Sequence, residues 1–230
     1  ITCYPDTPVG QETDFTLLAE AAQEESVAQT RSFSSMLLLV EALAAIVARE
    51  DIAALDGLAT SAPSILDRYA NQAQRLGDAQ ELARFFFLGS GHLYGLACEV
   101  MLKMKEMSIS YSEAYHFMEF RHGPKSMVDE HSLVVGLHSS DIQPHELAVM
   151  EECQAMGGKG LSLSVAGDVP GADETVGLQA SGPWWTQPVL YLPMLQLMAY
   201  HRSISKGLDP DNPRNLTAVV ELDRDELLMG

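Results

Sequence analysis

The segment Phe85-Phe-Phe-Leu-Gly-Ser-Gly91 limits the fold more than any other part of this chain. A short, wholly apolar run that breaks into small residues and leads straight into a helical pattern reads as a buried strand entering a helix through a tight turn. The helix covers His92 to Met107, so strand, turn and helix form one α/β unit. The same order recurs downstream. Ile109 to Tyr111 reads as a short strand, Glu113 to Phe120 as a helical piece broken at Gly123-Pro124, and Leu133 to Leu137 as a strand. Ile142 to Met156 fits a helix closed by Gly157-Gly158, followed by strands at Leu161 to Val165 and Glu174 to Leu178. A long apolar helix from Trp185 to Lys206, closed by Gly207, completes the series. Strands alternating with helices predict a parallel sheet covered on both faces, an α/β doubly wound domain over residues 81–230.

Ahead of it the pattern is incomplete. Ile1 to Tyr4 and Asp14 to Leu18 read as strands around a turn-rich loop, and two strands do not make a stable sheet. From Ser26, a plausible N-cap, Val27, Met36, Leu37, Val40 and Val47 supply an apolar helical face that ends near Arg49. Ile52 to Gly77 reads as two linking helices, the second starting just after Pro63. Residues 1–50 thus look like the tail of another α/β unit and 51–80 like a linker. The chain opens at Ile1 without Met or a signal-peptide pattern, as if in the middle of a domain.

With 230 residues and 47% hydrophobic content, the chain folds without needing disulfides. Fourteen basic against 32 acidic side chains leave −18 at pH 7, which repels nucleic acid and anionic lipid, so neither is an expected partner. The longest apolar run, Met36 to Ala48, contains Glu41 and is too short to span a bilayer. Cys3, Cys98 and Cys153 are far apart and show no CxxC spacing, which speaks against a disulfide framework or zinc site and for a reducing, cytoplasmic setting.

Several groups could carry chemistry. Glu99, Lys103 and Glu106 stand at i, i+4 and i+7 and share one helix face. The ordinary reading is a solvated stripe of ion pairs. The functional one makes Glu106 a general base tuned by Lys103. His122 lies at a helix break, where it is either a histidine bonded at a helix end or a proton-transfer group in a cleft. Glu119 and His122 have Glu-x-x-His spacing, but a di-iron bundle needs that motif twice, so no metal is expected. The Gly89-Ser90-Gly91 turn could cradle a phosphate or simply reverse the chain. Trp184 and Trp185 read as core packing.

Taken together, Glu99-x3-Lys103-Met-Lys-Glu106-Met-Ser, Ser112-Glu-Ala-Tyr115 and Glu119-Phe-Arg-His-Gly-Pro124 resemble the second half of the sugar isomerase (SIS) family. Ser26-Val-Ala-Gln-Thr-Arg-Ser-Phe33 resembles the segment closing the family's first half, and Pro213-Arg-Asn-Leu-Thr217 its C-terminal tail. The resemblance implies one complete SIS half plus the C-terminal remainder of a first. At about 30 residues per βαβ unit, it also implies roughly 100 residues, the phosphate loop among them, upstream of Ile1. It implies a cofactor-independent phosphosugar aldose–ketose isomerase or amino-sugar-6-phosphate deaminase acting on a hexose or hexosamine 6-phosphate. In it Glu106 moves the C1/C2 proton beside Lys103, and His122 opens the sugar ring from the partner subunit of a homodimer with shared sites. Glu99, Val27, Gln29 and Thr217 fall where the family contacts substrate. Gln29 departs from a serine, and Ala218 from a lysine that would touch the open sugar. A fructosamine-6-phosphate deglycase and a non-catalytic phosphosugar-sensing module stand as alternatives.

Overall fold

The computed structural model describes residues 1–180 and 182–217. Five parallel strands, β1 (Arg84–Gly89), β2 (Tyr111–Tyr115), β3 (Ser132–His138), β4 (Lys159–Ser164) and β5 (Glu174–Gly177), form one sheet in the order β2-β1-β3-β4-β5. Because side chains alternate along a strand, β1 feeds both faces: Phe85 and Phe87 enter one core and Phe86 and Leu88 the other. The first core is closed by α3 (Leu58–Asp78), α4 (His92–Ser108) and α7 (Leu192–Ser205). The second is closed by α5 (Phe117–Arg121), through Phe117 and Phe120, and by α6 (Pro144–Ala155), through Val149, Met150 and Cys153. This is the α/β doubly wound sheet the alternation predicts.

Several boundaries differ from expectation. The two N-terminal strands reduce to one bridge, Thr2 to Leu18, with a short helix α1 (Pro8–Glu12) between them. The helix expected at Ser26 begins five residues later, as α2 (Arg31–Ala48). Its first N–H groups are taken by the Glu24 carboxylate, which accepts from the backbones of Thr30 (2.9 Å), Arg31 (3.2 Å) and Ser32 (2.9 Å). A carboxylate there also meets the positive end of the helix dipole, so Ser26 is not the cap. At 18 residues and mean hydropathy 1.6, α2 is by length and composition alone long enough to cross a membrane, unlike the 13-residue run read from the sequence. In this fold its Phe33, Leu37 and Leu38 pack on the first core.

Pro63 does not start a helix. A 3-10 turn, Ile52–Gly57, runs into α3, which continues through Pro63. A proline five residues into the helix removes a single early backbone bond, and packing along α7 outweighs that loss. Gly77 shows how close the two helices come: a Cβ there would lie 2.6 Å from the Met198 carbonyl oxygen. Glu113 and Ala114, expected in a helix, belong to β2, where pairing with Phe86 and Phe87 of β1 overrides their local preference. The expected helix from Trp185 breaks into 3-10 turns at Trp184–Thr186 and Pro188–Tyr191 before α7.

Candidate active site

Helix α4 brings Glu99, Lys103 and Glu106 together, and it does so in the interior. Lys103 is 4% exposed, Glu99 7% and Glu106 21%, which corrects the reading of a solvated stripe. Lys103 Nζ lies 2.5 Å from Glu106 Oε2 and 3.7 Å from Glu99 Oε1. The closer carboxylate takes the charge-assisted hydrogen bond. Glu99 Oε1 is buried with no hydrogen-bond partner. Burial pushes the Glu99 carboxyl up to about 7, against the pull of Lys103 and with the help of the charges on Glu106 and Glu24. The triad can therefore hold a proton on one acid and present the other, paired with an ammonium, as a base.

The far end of α4 is held in place. Ile109 closes the helix at φ 47, a conformation costly for a β-branched residue. Lys206 Nζ donates to the carbonyls of Ser108 (2.6 Å) and Ile109 (2.9 Å), satisfying helix-end acceptors with a positive charge where the dipole favours one.

Beside this end lies a cavity of about 940 Å³. The Glu24–Arg31 segment forms one wall, Met107 and Tyr200 a second, and Pro210, Asp211 and Asn212 a third. The triad's carboxylates are not in the wall itself; Met107, next to Glu106, is. Glu24 ties the segment down, accepting from the hydroxyls of Thr30 (3.2 Å) and Ser32 (2.5 Å) besides the three backbone N–H groups. Burial alone would raise the Glu24 pKa, yet these bonds take it below the usual carboxylate range. Ser26 Oγ reaches the Pro210 carbonyl at 3.4 Å and so joins the segment to the tail. Sequence reading missed Glu24, Tyr200 and Asn212. A carboxylate seven residues ahead of the first helical residue carries no local capping signature, and Tyr200 and Asn212 reach the cavity only through tertiary packing.

The other expected site residues are more scattered. Val27 is half-buried. Gln29 is exposed and lines a separate cavity of about 280 Å³ against Ile1, Cys3 and Tyr4. Thr217 is exposed at the end of the described tail, and Ala218 lies outside the described residues. His122 is exposed at the C-terminus of α5, whose core lies on the opposite face of the sheet from α4. No hydrogen bond or ion pair joins His122 to the triad among the described residues.

The Ser90 side chain of the Gly89-Ser90-Gly91 turn is committed internally. Ser90 Oγ donates to Glu146 Oε1 at 2.6 Å, Glu146 Oε2 lies 3.1 Å from His138 Nδ1, and His138 Nε2 meets Ser162 Oγ at 3.2 Å. Burial would raise the Glu146 pKa, but its bonds to His138 and Ser90 hold it below the ordinary value. An internal carboxylate thus takes the Ser90 hydroxyl, and a phosphate at this turn would be left to its backbone N–H groups and the helix dipole. Among the described residues no group of three or more His, Cys, Asp or Glu side chains could hold a metal.

Comparison with known proteins gives a consistent result. The model of the SIS domain matches residues 80–205. Glutamine–fructose-6-phosphate aminotransferase (isomerizing) from Gluconobacter oxydans is 33% identical over 230 aligned positions, covering 94% of this chain and 38% of that protein. The enzyme of the same name from Sulfurisphaera tokodaii is 30% identical, covering 97% of this chain and 37% of its own length. The chain therefore spans well under half of these relatives. Among solved structures, glucosamine-6-phosphate deaminase from Thermotoga maritima superposes with a TM-score of 0.79 at 28% identity, over 95% of this chain and 65% of that one. Tagatose-6-phosphate ketose/aldose isomerase from Escherichia coli gives the same TM-score at 23% identity, over 91% and 61%, and speaks for the fold. With its parallel sheet and a family match over more than half its length, the chain belongs to the SIS domain family.

Proposed function

We propose that this chain carries the proton-transfer site of a phosphosugar aldose–ketose isomerase or amino-sugar-6-phosphate deaminase, working on a hexose or hexosamine 6-phosphate. The observation that carries the reading is the buried Glu99–Lys103–Glu106 set on α4. Burying three ionisable groups on one helix is costly for stability, and a hydrophobic trio of similar volume would hold the fold as well. Such an arrangement is what a tuned acid–base site requires. Glu106 takes the proton from one of C1 and C2 and returns it to the other. Lys103 fixes Glu106 and offers positive charge to the developing oxyanion. Glu99, pushed up to about 7 and so still partly protonated near neutrality, competes less for Lys103 than an ordinary carboxylate would and leaves it to Glu106.

In this reading His122 serves the site of a second subunit. Its place on the far face of the sheet from α4 supports that assignment, because the sheet separates it from its own Glu106. Val27, Gln29 and Thr217 are proposed substrate contacts, residues 1–50 belong with a first SIS half, 51–80 link the halves, and 81–230 form the second. No cofactor enters the scheme, and the setting is cytoplasmic.

The test is Glu106→Gln, assayed against a panel of hexose and hexosamine 6-phosphates with isomer and ammonia followed together. The amide keeps the shape but cannot accept a proton, so turnover is expected to fall by roughly 10²–10⁴-fold or more. A variant as fast as the parent would remove Glu106 from the mechanism. Unchanged sugar-phosphate binding with no turnover by either protein would leave the sensing module standing.

A further inference from the structure

A second cavity, of about 400 Å³, opens between α2 and the loop ahead of α7. It shares no lining residue with the 940 Å³ cavity, although His92 and Leu96 at the start of α4 line it. Leu96 and the alanines of α2 supply its apolar floor, and Trp184, Trp185 and His92 its aromatic side, with the Trp184 and His92 ring centroids 5.9 Å apart. Glu41 also lines it. That side chain is 8% exposed, and neither carboxylate oxygen has a hydrogen-bond partner. The Val189 backbone N–H faces it and draws its pKa down, but burial dominates and leaves the carboxyl at about 7. Trp185 Nε1 is likewise buried without a partner.

Two unpartnered polar groups at an apolar cavity are a deficit that a ligand can fill. Glu41 asks for a donor and Trp185 for an acceptor. The charge in the wall is of one sign: Glu41 and Glu50 line it, and neither Lys nor Arg does. Indole faces beside carboxylates suit an ammonium flanked by hydrocarbon, through cation–π attraction and a charge-assisted hydrogen bond. We propose that this cavity binds a small organic amine whose apolar or aromatic body fills the floor, whose ammonium reaches Glu41, and whose neighbouring oxygen accepts from Trp185. Trp184 is 66% exposed and Trp185 only half-buried, which corrects the reading of core packing, and the cavity assigns both a role.

Trp184 and Trp185 are the only two tryptophans of the chain, so intrinsic fluorescence reports on this cavity alone. The probes are 2-phenoxyethylamine, its uncharged analogue 2-phenoxyethanol, and methylammonium, which lacks the body. The amine is expected to give a saturable change in tryptophan emission, with the alcohol at least tenfold weaker and methylammonium without effect. Glu41→Gln should weaken the amine at least tenfold and leave the alcohol unchanged. Ala44→Phe, which fills the mouth from an exposed position on α2 and keeps the Glu41 carboxylate, should abolish the response. The proposal is overturned if the amine gives no saturable signal, if the alcohol matches it, or if either variant binds the amine like the parent. Sugar-phosphate turnover is read separately, so the fate of this cavity and that of the α4 site are distinguishable.

Discussion

Glu99 and Glu146 are both buried acids, and their surroundings shift them in opposite directions. Glu99 has an oxygen without a hydrogen bond and is pushed up to about 7 by burial. Glu146 is bonded to Ser90 and His138 and is held below the ordinary value in spite of burial. The consequences for stability have opposite sign. Between about pH 4.5 and 7 the unfolded chain gives up the Glu99 proton that the folded chain keeps, so this residue's contribution falls as pH rises, by up to about 3 kcal/mol. Glu99→Gln should therefore raise the urea midpoint at pH 8 and leave it nearly unchanged at pH 4.5. Equal destabilisation at both would mean that the carboxylate is ionised and held by Lys103. For Glu146 the contribution is present above its unfolded pKa and is lost as pH falls through the lowered folded one. Glu146→Gln should cost about 1–3 kcal/mol at pH 7, because the amide reproduces only part of the bonding to His138 and Ser90, and the cost should shrink as pH falls through the lowered folded value. The spacing of Glu99, Lys103 and Glu106 was legible in the sequence, but their burial was not. An i, i+4, i+7 polar stripe looks the same whether it faces water or α7 and the segment ahead of α2, and only packing decides.

Elements were readable where burial and periodicity coincide. β1, β3 and β4 are buried along almost their whole length on both faces, α4 begins at Gly91, and α6 begins at Pro144 and stops before Gly157, so each was placed to within a few residues. The failures came where distant parts of the chain decide. The start of α2 is set by Glu24 from outside the helix. β2 is a strand because β1 offers an open edge. α3 runs through Pro63 because α7 lies along it. Gly77 makes that last dependence testable. With a Cβ 2.6 Å from the Met198 carbonyl oxygen and 2.7 Å from His201 Cβ, Gly77→Ala must drive α3 and α7 apart. Alanine is otherwise the better helix former by about 1 kcal/mol, so helix propensity alone would predict a rise in stability. Close packing predicts a net loss of roughly 1–3 kcal/mol, seen as a lower thermal midpoint. A stabilised variant would show that the two helices tolerate separation.

At the scale of the whole molecule, a chain of charge −18 is proposed to hold a dianionic sugar phosphate. Six of its fourteen Lys and Arg side chains are ion-paired with carboxylates among the described residues, Arg84 with Asp129 being one. Arg75 and Lys159 pair with Glu174, Arg121 and Lys125 with Glu152, and Lys103 with Glu106. His122, exposed on the far face from α4, is the group proposed to serve a second subunit's site. Subunit mixing tests this directly. A His122→Ala chain and a Glu106→Gln chain should each be inactive alone. In a mixed two-fold dimer, one site joins Glu106 of the first chain to His122 of the second and is intact, while the other site carries both lesions. Random exchange makes half the dimers mixed with one good site in two, so recovery should approach about a quarter of parental activity. If instead His122 served its own chain's Glu106, both sites of the mixed dimer would carry one lesion each, and no activity would return. Verified subunit exchange without recovery would therefore place His122 outside a shared site, whatever Glu106 does.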